Sequence, residues 1–239
     1  MKFTFIGTSH GIPEANRRCS CLMVETGGNI YFFDMGTHAI EALRNRGRSI
    51  EDVKGIFITH MHGDHTNGLI PFIDLITWYF RKVDPDVVLP DLEAVRVIND
   101  WLTVTQNGCQ KAIRYHQAKT GIVFDDGLLK VTAIPTQHCP GSHAYLLEAE
   151  GKSVLYTGDL ANPEKDFPYV EQELDLLICE SAHFPATQYL SVLEKQTIQK
   201  MCVTHYAPRF MEELYQTKRL LDKQGICMLI ATDGLELSV

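Results

Sequence analysis

The chain has no CxxC pair, no Ser/Gly-rich stretch, no low-complexity tract and no clear internal repeat. Its seven cysteines, Cys19, Cys21, Cys109, Cys139, Cys179, Cys202 and Cys227, are odd in number and irregular in spacing. That pattern argues against a disulfide framework and for reduced thiols. Cys19-Ser20-Cys21 is too short for a zinc knuckle, and Cys179, Cys202 and Cys227 sit in apolar runs that read as core. No segment approaches the roughly 20 apolar residues that span a bilayer; LIPFIDLITWYF comes nearest, but it contains Asp74 and reads as a buried helix. The opening MKFTFIGTSHG alternates like a strand and lacks the apolar centre of a signal peptide. Basic charge is in deficit as well. Lys and Arg number 22 against 30 Asp and Glu, a formal net charge of −8, which disfavours binding nucleic acid or an anionic membrane through bulk charge. The expectation is a soluble, cytoplasmic chain with no membrane partner.

What is present is an ordinary globular composition, 45% hydrophobic and 22% charged over 239 residues. Short β-rich runs dominate: KFTFIG, SCLMVET, NIYFFD, GIFITH, DVVLP, LLKVTAIP, HAYLLEAE, SVLYTGD, LDLLICE, QKMCVTH and ICMLIA. ETGGNIYFF and EAEGKSVLY read as hairpins turning at Gly27-Gly28 and Gly151. Helical spacing marks HAIEALRNRG, LIPFIDLITWYFRK, LEAVRVINDWLTV, YLSVLEKQTIQK and MEELYQTKRLLDKQG. Strands first, then strands alternating with helices, point to sheets covered by helices. The strand pattern runs unbroken across the chain, so residues 1–239 are expected to form a single domain.

Six apolar runs each end in a residue able to ligate a metal or orient a ligand: Asp34, His60, His138, Asp159, Glu180 and His205. Loops that follow strands in a layered α/β fold share one rim, where sites are built. A lone histidine after a strand is more often a surface residue, and Asp34 or Asp159 alone reads as a turn residue. The coincidence of six weakens those readings. So does the cluster His60-Met61-His62-Gly63-Asp64-His65. His60 and His62, two apart in an extended turn, reach one ion, and His138 completes that set. Asp64 and His65 reach a second ion with His205, and Asp159 bridges the two. Imidazole and carboxylate ligands suit Zn²⁺, Mn²⁺ or Fe without choosing among them.

HxHxDH followed by His, Asp and His resembles the metallo-β-lactamase superfamily over nearly the whole chain. The resemblance implies a four-layer αββα sandwich with two divalent metal ions, zinc foremost, at its rim. IGTSHGIPEANRRCSCLMVETGGNIYFFDMG, FITHMHGDHTNGL, LDLLICESAHF and VTHYAPRF resemble the ribonuclease Z branch, which implies phosphodiester hydrolysis. Three departures bear on substrate. No Gly/Pro-rich arm for gripping tRNA is visible, Asp159 is followed by leucine rather than threonine, and the family's His-Ser-Thr segment has no counterpart after Glu180. His183, three residues after Glu180, stands where it can donate the proton instead, as in the similar phosphoribosyl cyclic phosphate phosphodiesterases. The plain alternative for His183 is a loop histidine before Pro185.

The expected function is metal-dependent hydrolysis of a small or cyclic phosphodiester, or of an RNA end, by a hydroxide bridging the metals. Asp64 would bind metal and hold the nucleophile's proton, and His183 would protonate the leaving oxygen, oriented by Glu180. Asp34 would brace a ligand histidine from behind, as its family position implies. Arg17, Arg18, Arg44, Arg46 and Arg48 read as solvated or helix-end residues before they read as phosphate contacts. Three alternatives stay open: a lactonase or β-lactamase-like enzyme or thioester hydrolase using the same ligands, a metal-dependent oxidoreductase, and a non-enzymatic metal-binding scaffold. The absence of a flavodoxin-like extension argues against an electron-transfer flavoprotein. The resemblance also implies a homodimer.

Overall fold

A computed structural model describes residues 1–106 and 111–239; Cys109 lies outside the described residues. The described residues form two seven-stranded sheets packed face to face. The first comprises β1 (Lys2–Gly7), β2 (Cys21–Thr26), β3 (Asn29–Phe33), β4 (Val53–Phe57), β5 (Asp86–Leu89), β6 (Arg114–Gln117) and, at its other edge beside β1, the late strand β14 (Glu236–Ser238). The second runs in chain order through β7 (Gly121–Asp125), β8 (Lys130–Pro135), β9 (His143–Ala149), β10 (Lys152–Tyr156), β11 (Leu176–Ser181), β12 (Lys200–Tyr206) and β13 (Cys227–Ile230). Each sheet begins as an antiparallel meander and turns parallel: β3 to β6 in the first, β10 to β13 in the second. Parallel neighbours need crossovers, which helices supply. These are α1 (Ala39–Asn45), α2 (Gly63–Thr66), α3 (Leu69–Trp78) and α4 (Glu93–Gln106) on the first sheet. On the second they are α5 (Pro163–Asp166), α6 (Leu190–Leu193) and α7 (Met211–Lys223).

Strand periodicity sorts the side chains. In β3, Tyr31 and Phe33 face the opposing sheet, while Ile30 and Phe32 face the helices. Phe33 stacks on Phe57 at 4.9 Å and meets Tyr145 and Tyr156 edge-on, so aromatic rings fill the centre of the sandwich. Helices cover both outer faces, so strands such as β3 and β4 are buried on both sides and read as unbroken apolar runs. The result is the four-layer αββα sandwich the sequence implies. The two hairpins turn where expected, with positive φ at Gly27 and Gly28 and at Glu150 and Gly151.

Several expectations need correction. YLSVLEKQTIQK does not form one helix: a 3₁₀ turn over Ala186–Tyr189 leads into the four-residue α6. Past it, buried Gln196 bonds the backbone of Val170 and Gln172, and Leu174 donates its N–H to the Thr197 carbonyl and accepts from Gln199 N. Those tertiary bonds outcompete a further helical turn. Cys179 and Cys202 are core, but Cys227 is exposed, because β13 is an edge strand. The strands β6, β7 and β14 were not expected; all lie at sheet edges, with polar or half-exposed patterns. Glu180 and His205 fall inside β11 and β12 rather than beyond them. No described helix is long and apolar enough to cross a membrane.

Candidate metal centre

The parallel strands place their C-terminal ends on one rim, and the singled-out residues lie there. Asp34 directly follows β3, and His60 and His62 occupy the loop after β4. Asp64 and His65 begin α2, while His138 and Asp159 follow β8 and β10. Glu180 and His205 come from β11 and β12. The first sheet thus supplies Asp34, His60, His62, Asp64 and His65, and the second sheet His138, Asp159, Glu180 and His205. Gly36 lets the loop after β3 pack against α2: a Cβ there would sit 1.8 Å from the carbonyl oxygen of Asp64. A Cβ on Gly158 would meet the Thr59 side chain at 2.7 Å.

Two ligand sets emerge. His60 Nε2 and His138 Nε2 lie 3.0 and 3.2 Å from His62 Nδ1. Two nitrogens each about 2.0–2.1 Å from one tetrahedral ion stand roughly 3.3 Å apart, so this spacing suits a shared cation. In the second set, His65 Nε2 is 3.4 Å and His205 Nε2 is 3.8 Å from Asp64 Oδ2. Asp159 sits between the sets. Its Oδ2 lies 3.3 Å from His205, 3.7 Å from His60 and 3.7 Å from His138, and its Oδ1 lies 3.4 Å from His65. Two atoms test the fit of the centre to metal. His65 Nε2 and Asp159 Oδ1 are buried and have no hydrogen-bond partner in the protein. Such orphans are costly unless something satisfies them, and both point where a cation would. The donor set fits two divalent ions.

Groups behind the ligands aim them. His65 Nδ1 donates to Asp34 Oδ2 at 2.7 Å. Asp34, itself buried and at φ 56, also accepts from Thr59 N and Oγ1 and from the Tyr156 hydroxyl. Thr59 Oγ1 in turn accepts from His60 Nδ1 at 3.0 Å. His205 Nδ1 donates to the Ser9 carbonyl at 2.9 Å, with Ser20 Oγ equally close. These acceptors place the proton on Nδ1 of His60, His65 and His205 and leave Nε2 free to ligate. Thr59, Tyr156, Ser9 and Ser20 carried no sequence signal beyond lying next to motif residues.

Electrostatics are divided across the cluster. Burial, helped by His65, pushes His60 down to about 2, and burial lowers His138, so both are neutral, the ligating form. Burial opposes charge on His65 and His205 too, but Asp159 overrides it and raises both. Burial works against the Asp64 carboxylate, yet His65 and His205 bring it down to about 2. Asp159 is likewise held well below the usual carboxylate range: burial opposes, and His205 and His65 prevail.

His183 stands beside this core, its ring 4.7 Å from that of His138 and its side chain 39% exposed. Its Nδ1 lies 2.9 and 3.0 Å from the Glu180 oxygens, and that hydrogen bond and charge raise its pKa. Glu180 is fully buried and accepts from the backbone N–H groups of Leu160, Ala182 and His183. The five arginines stay out of the centre where their partners are visible. Arg17 pairs with Glu14, Arg46 approaches Glu236, and Arg48 bonds Glu25 and Asp52.

The family model for Anti-Pycsar protein Apyc1 matches residues 1–222. Ribonuclease Z of Archaeoglobus fulgidus is 23% identical over 303 aligned positions, covering 100% of this chain and 97% of the relative. That of Shouchella clausii is 30% identical over 64% of this chain, and the match spans 49% of the relative's length. Among solved structures, the metallo-β-lactamase-fold protein YhfI of Bacillus subtilis superposes with TM-score 0.74 at 19% identity, covering 99% of this chain and 98% of its own. Human tRNase Z, short form, gives 0.71 at 19%, covering 100% and 99%. The chain therefore belongs to the family described as Anti-Pycsar protein Apyc1, and it shares the fold of the metallo-β-lactamase-fold protein YhfI.

Proposed function

We propose that the chain hydrolyses a small phosphodiester, cyclic ones included, at two divalent ions, zinc foremost with Mn or Fe as alternatives. His60, His62 and His138 would hold one ion and Asp64, His65 and His205 the other, with Asp159 lying between the two sets. The ions, when bound, supply Lewis acidity, which polarises a phosphoryl oxygen and eases loss of a proton from water near neutral pH. Asp64 is placed to accept that proton, its Oδ2 facing His65 and His205 across the second ligand set. His183 gives a proton from its ring to the leaving oxygen, while Glu180 holds the ring in place and favours its protonated form.

The observation that carries this reading is the Glu180–His183 pair beside both ligand sets. An alkoxide leaving from phosphorus needs a proton donor, and this pair is one. Substrate size follows from what is missing. The alignment to the Archaeoglobus ribonuclease Z runs over 303 positions against 239 residues here, so that relative carries segments with no counterpart in this chain. No tRNA-gripping arm is legible among the residues present, and the net charge of −8 offers no bulk attraction for RNA. A cytoplasmic setting fits the six described cysteines, all unpaired. A homodimer remains part of the proposal, to be checked by light scattering.

The test is hydrolysis of bis(p-nitrophenyl) phosphate by metal-loaded protein beside Asp64→Ala, followed by cyclic nucleotides, an RNA 3′ end and a lactone. Turnover of phosphodiesters that Asp64→Ala abolishes supports the reading. Lactone or thioester turnover with inert phosphodiesters overturns it in favour of acyl chemistry, and wild-type activity in Asp64→Ala overturns the residue's assignment.

A further inference from the structure

Arg17 lies in the loop between β1 and β2, outside the ligand sets, yet its side chain is mostly buried. One of its terminal nitrogens donates to two backbone carbonyls, that of Thr8 at 2.6 Å and that of Tyr206 at 2.8 Å. The other meets Glu14 at 3.1 Å, and the guanidinium lies 3.7 Å over the Tyr206 ring. Thr8 precedes Ser9, and Tyr206 follows His205. The two bridged carbonyls therefore flank the contact that fixes His205, its Nδ1 hydrogen bond to the Ser9 carbonyl. Ser9 and Tyr206 also pair as an isolated parallel bridge. The two segments come from different sheets, and His205 sits at φ 44, a left-handed conformation that a non-glycine residue adopts only under constraint.

We infer that Arg17 is a positioning residue for the second metal. Its guanidinium ties the loop after β1 to the end of β12 and so holds His205 with Nε2 facing Asp64 and Asp159. Asp233 anchors the same loop from its other side, accepting from Thr8 N, Thr8 Oγ1 and Arg18 N. Lysine cannot replace this geometry: an ammonium lacks the flat fork that bonds two carbonyls and a carboxylate while stacking on a ring. The inference rests on the reading of His205 as a ligand, and its test separates the two.

Zinc-loaded wild type, Arg17→Lys, Arg17→Ala and His205→Ala are dialysed against graded chelator, and zinc per chain is measured by mass spectrometry. Wild type should retain two ions and His205→Ala one; if wild type holds fewer, or His205→Ala still holds two, the centre itself is misread and the inference falls with it. With those controls in place, Arg17→Lys should release one ion at about 10–100-fold lower chelator strength, the usual cost of losing a group behind a ligand. The other ion should stay as tight as in wild type, and the melting temperature of the metal-free variant should match metal-free wild type. Wild-type retention of both ions in Arg17→Lys and Arg17→Ala overturns the inference. So does equal loss of both ions, or a fall in metal-free stability that accounts for the release, because each marks a merely structural role.

Discussion

Asp159 is the residue on which both ligand sets depend, since its two oxygens face histidines of each. Replacing it with alanine should lower zinc content at both sites, whereas His62→Ala should lower it at one; metal analysis after dialysis distinguishes them. Asp34 acts one step back. It touches His65, Thr59 and Tyr156 but neither set's open face. Asp34→Asn should weaken metal binding about 10–100-fold in chelator competition while leaving the ligands themselves intact. His183 makes a different prediction. His183→Ala should slow an alkyl-ester phosphodiester by about 10²–10⁴ and a p-nitrophenyl ester far less, because nitrophenolate leaves without a proton. Equal slowing of both substrates would remove His183 as the acid.

At the scale of elements, the centre exists because parallel strands end together. β3 and β4 in one sheet and β10 to β12 in the other deliver their following residues to one edge. Close approach keeps the loop after β3 seated on α2, with Gly36 at the contact. Gly36→Ala, with its Cβ driven into the Asp64 carbonyl, should cost about 1–3 kcal/mol or more in chemical denaturation and release metal as α2 shifts. Helix α4 carries two apolar faces. Ile98 and Leu102 are buried against the first sheet, while Val97, Trp101 and Val104 point outward. Leu102→Ala should therefore cost about 2–5 kcal/mol, and Trp101→Ala should stay within about 0.5 kcal/mol. The reverse order would mean the helix is rotated.

For the whole molecule, ions bound at the proposed centre would add to the fold's stability. Ligands drawn from both sheets form a complete set only in the folded chain, so bound ions stabilise it by mass action, about 2.7 kcal/mol at a free metal concentration of 100 times Kd. Chelation should lower the melting temperature of wild type and leave a His60→Ala/His205→Ala variant nearly unmoved. An identical response in both would mean the centre does not hold the ions. The excess of carboxylates belongs to this scale too, since two divalent cations at the proposed centre would offset part of the −8 charge.

Much of this protein is legible in its sequence for a plain physical reason. Strands buried on both faces must be apolar throughout, so GIFIT and DLLIC announce themselves, and ligand residues at the ends of such runs stand out against them. The spacing of His60, His62, Asp64 and His65 is local and needs no tertiary information. What fails to show are features decided by contacts distant in sequence. Edge strands β6 and β14 exist because a neighbour accepts them. The helical periodicity after Leu193 yields to the bonds of Gln196. The tautomers of His65 and His205 depend on Asp34 and Ser9, and the hold on His205 depends on Arg17, whose partner Tyr206 lies 189 residues away. Sequence by itself determined the candidate residues for the proposed chemistry and the layers that bear them. Only the tertiary structure decided how those residues are aimed, because aim is set by backbone carbonyls and buried carboxylates that packing alone brings together.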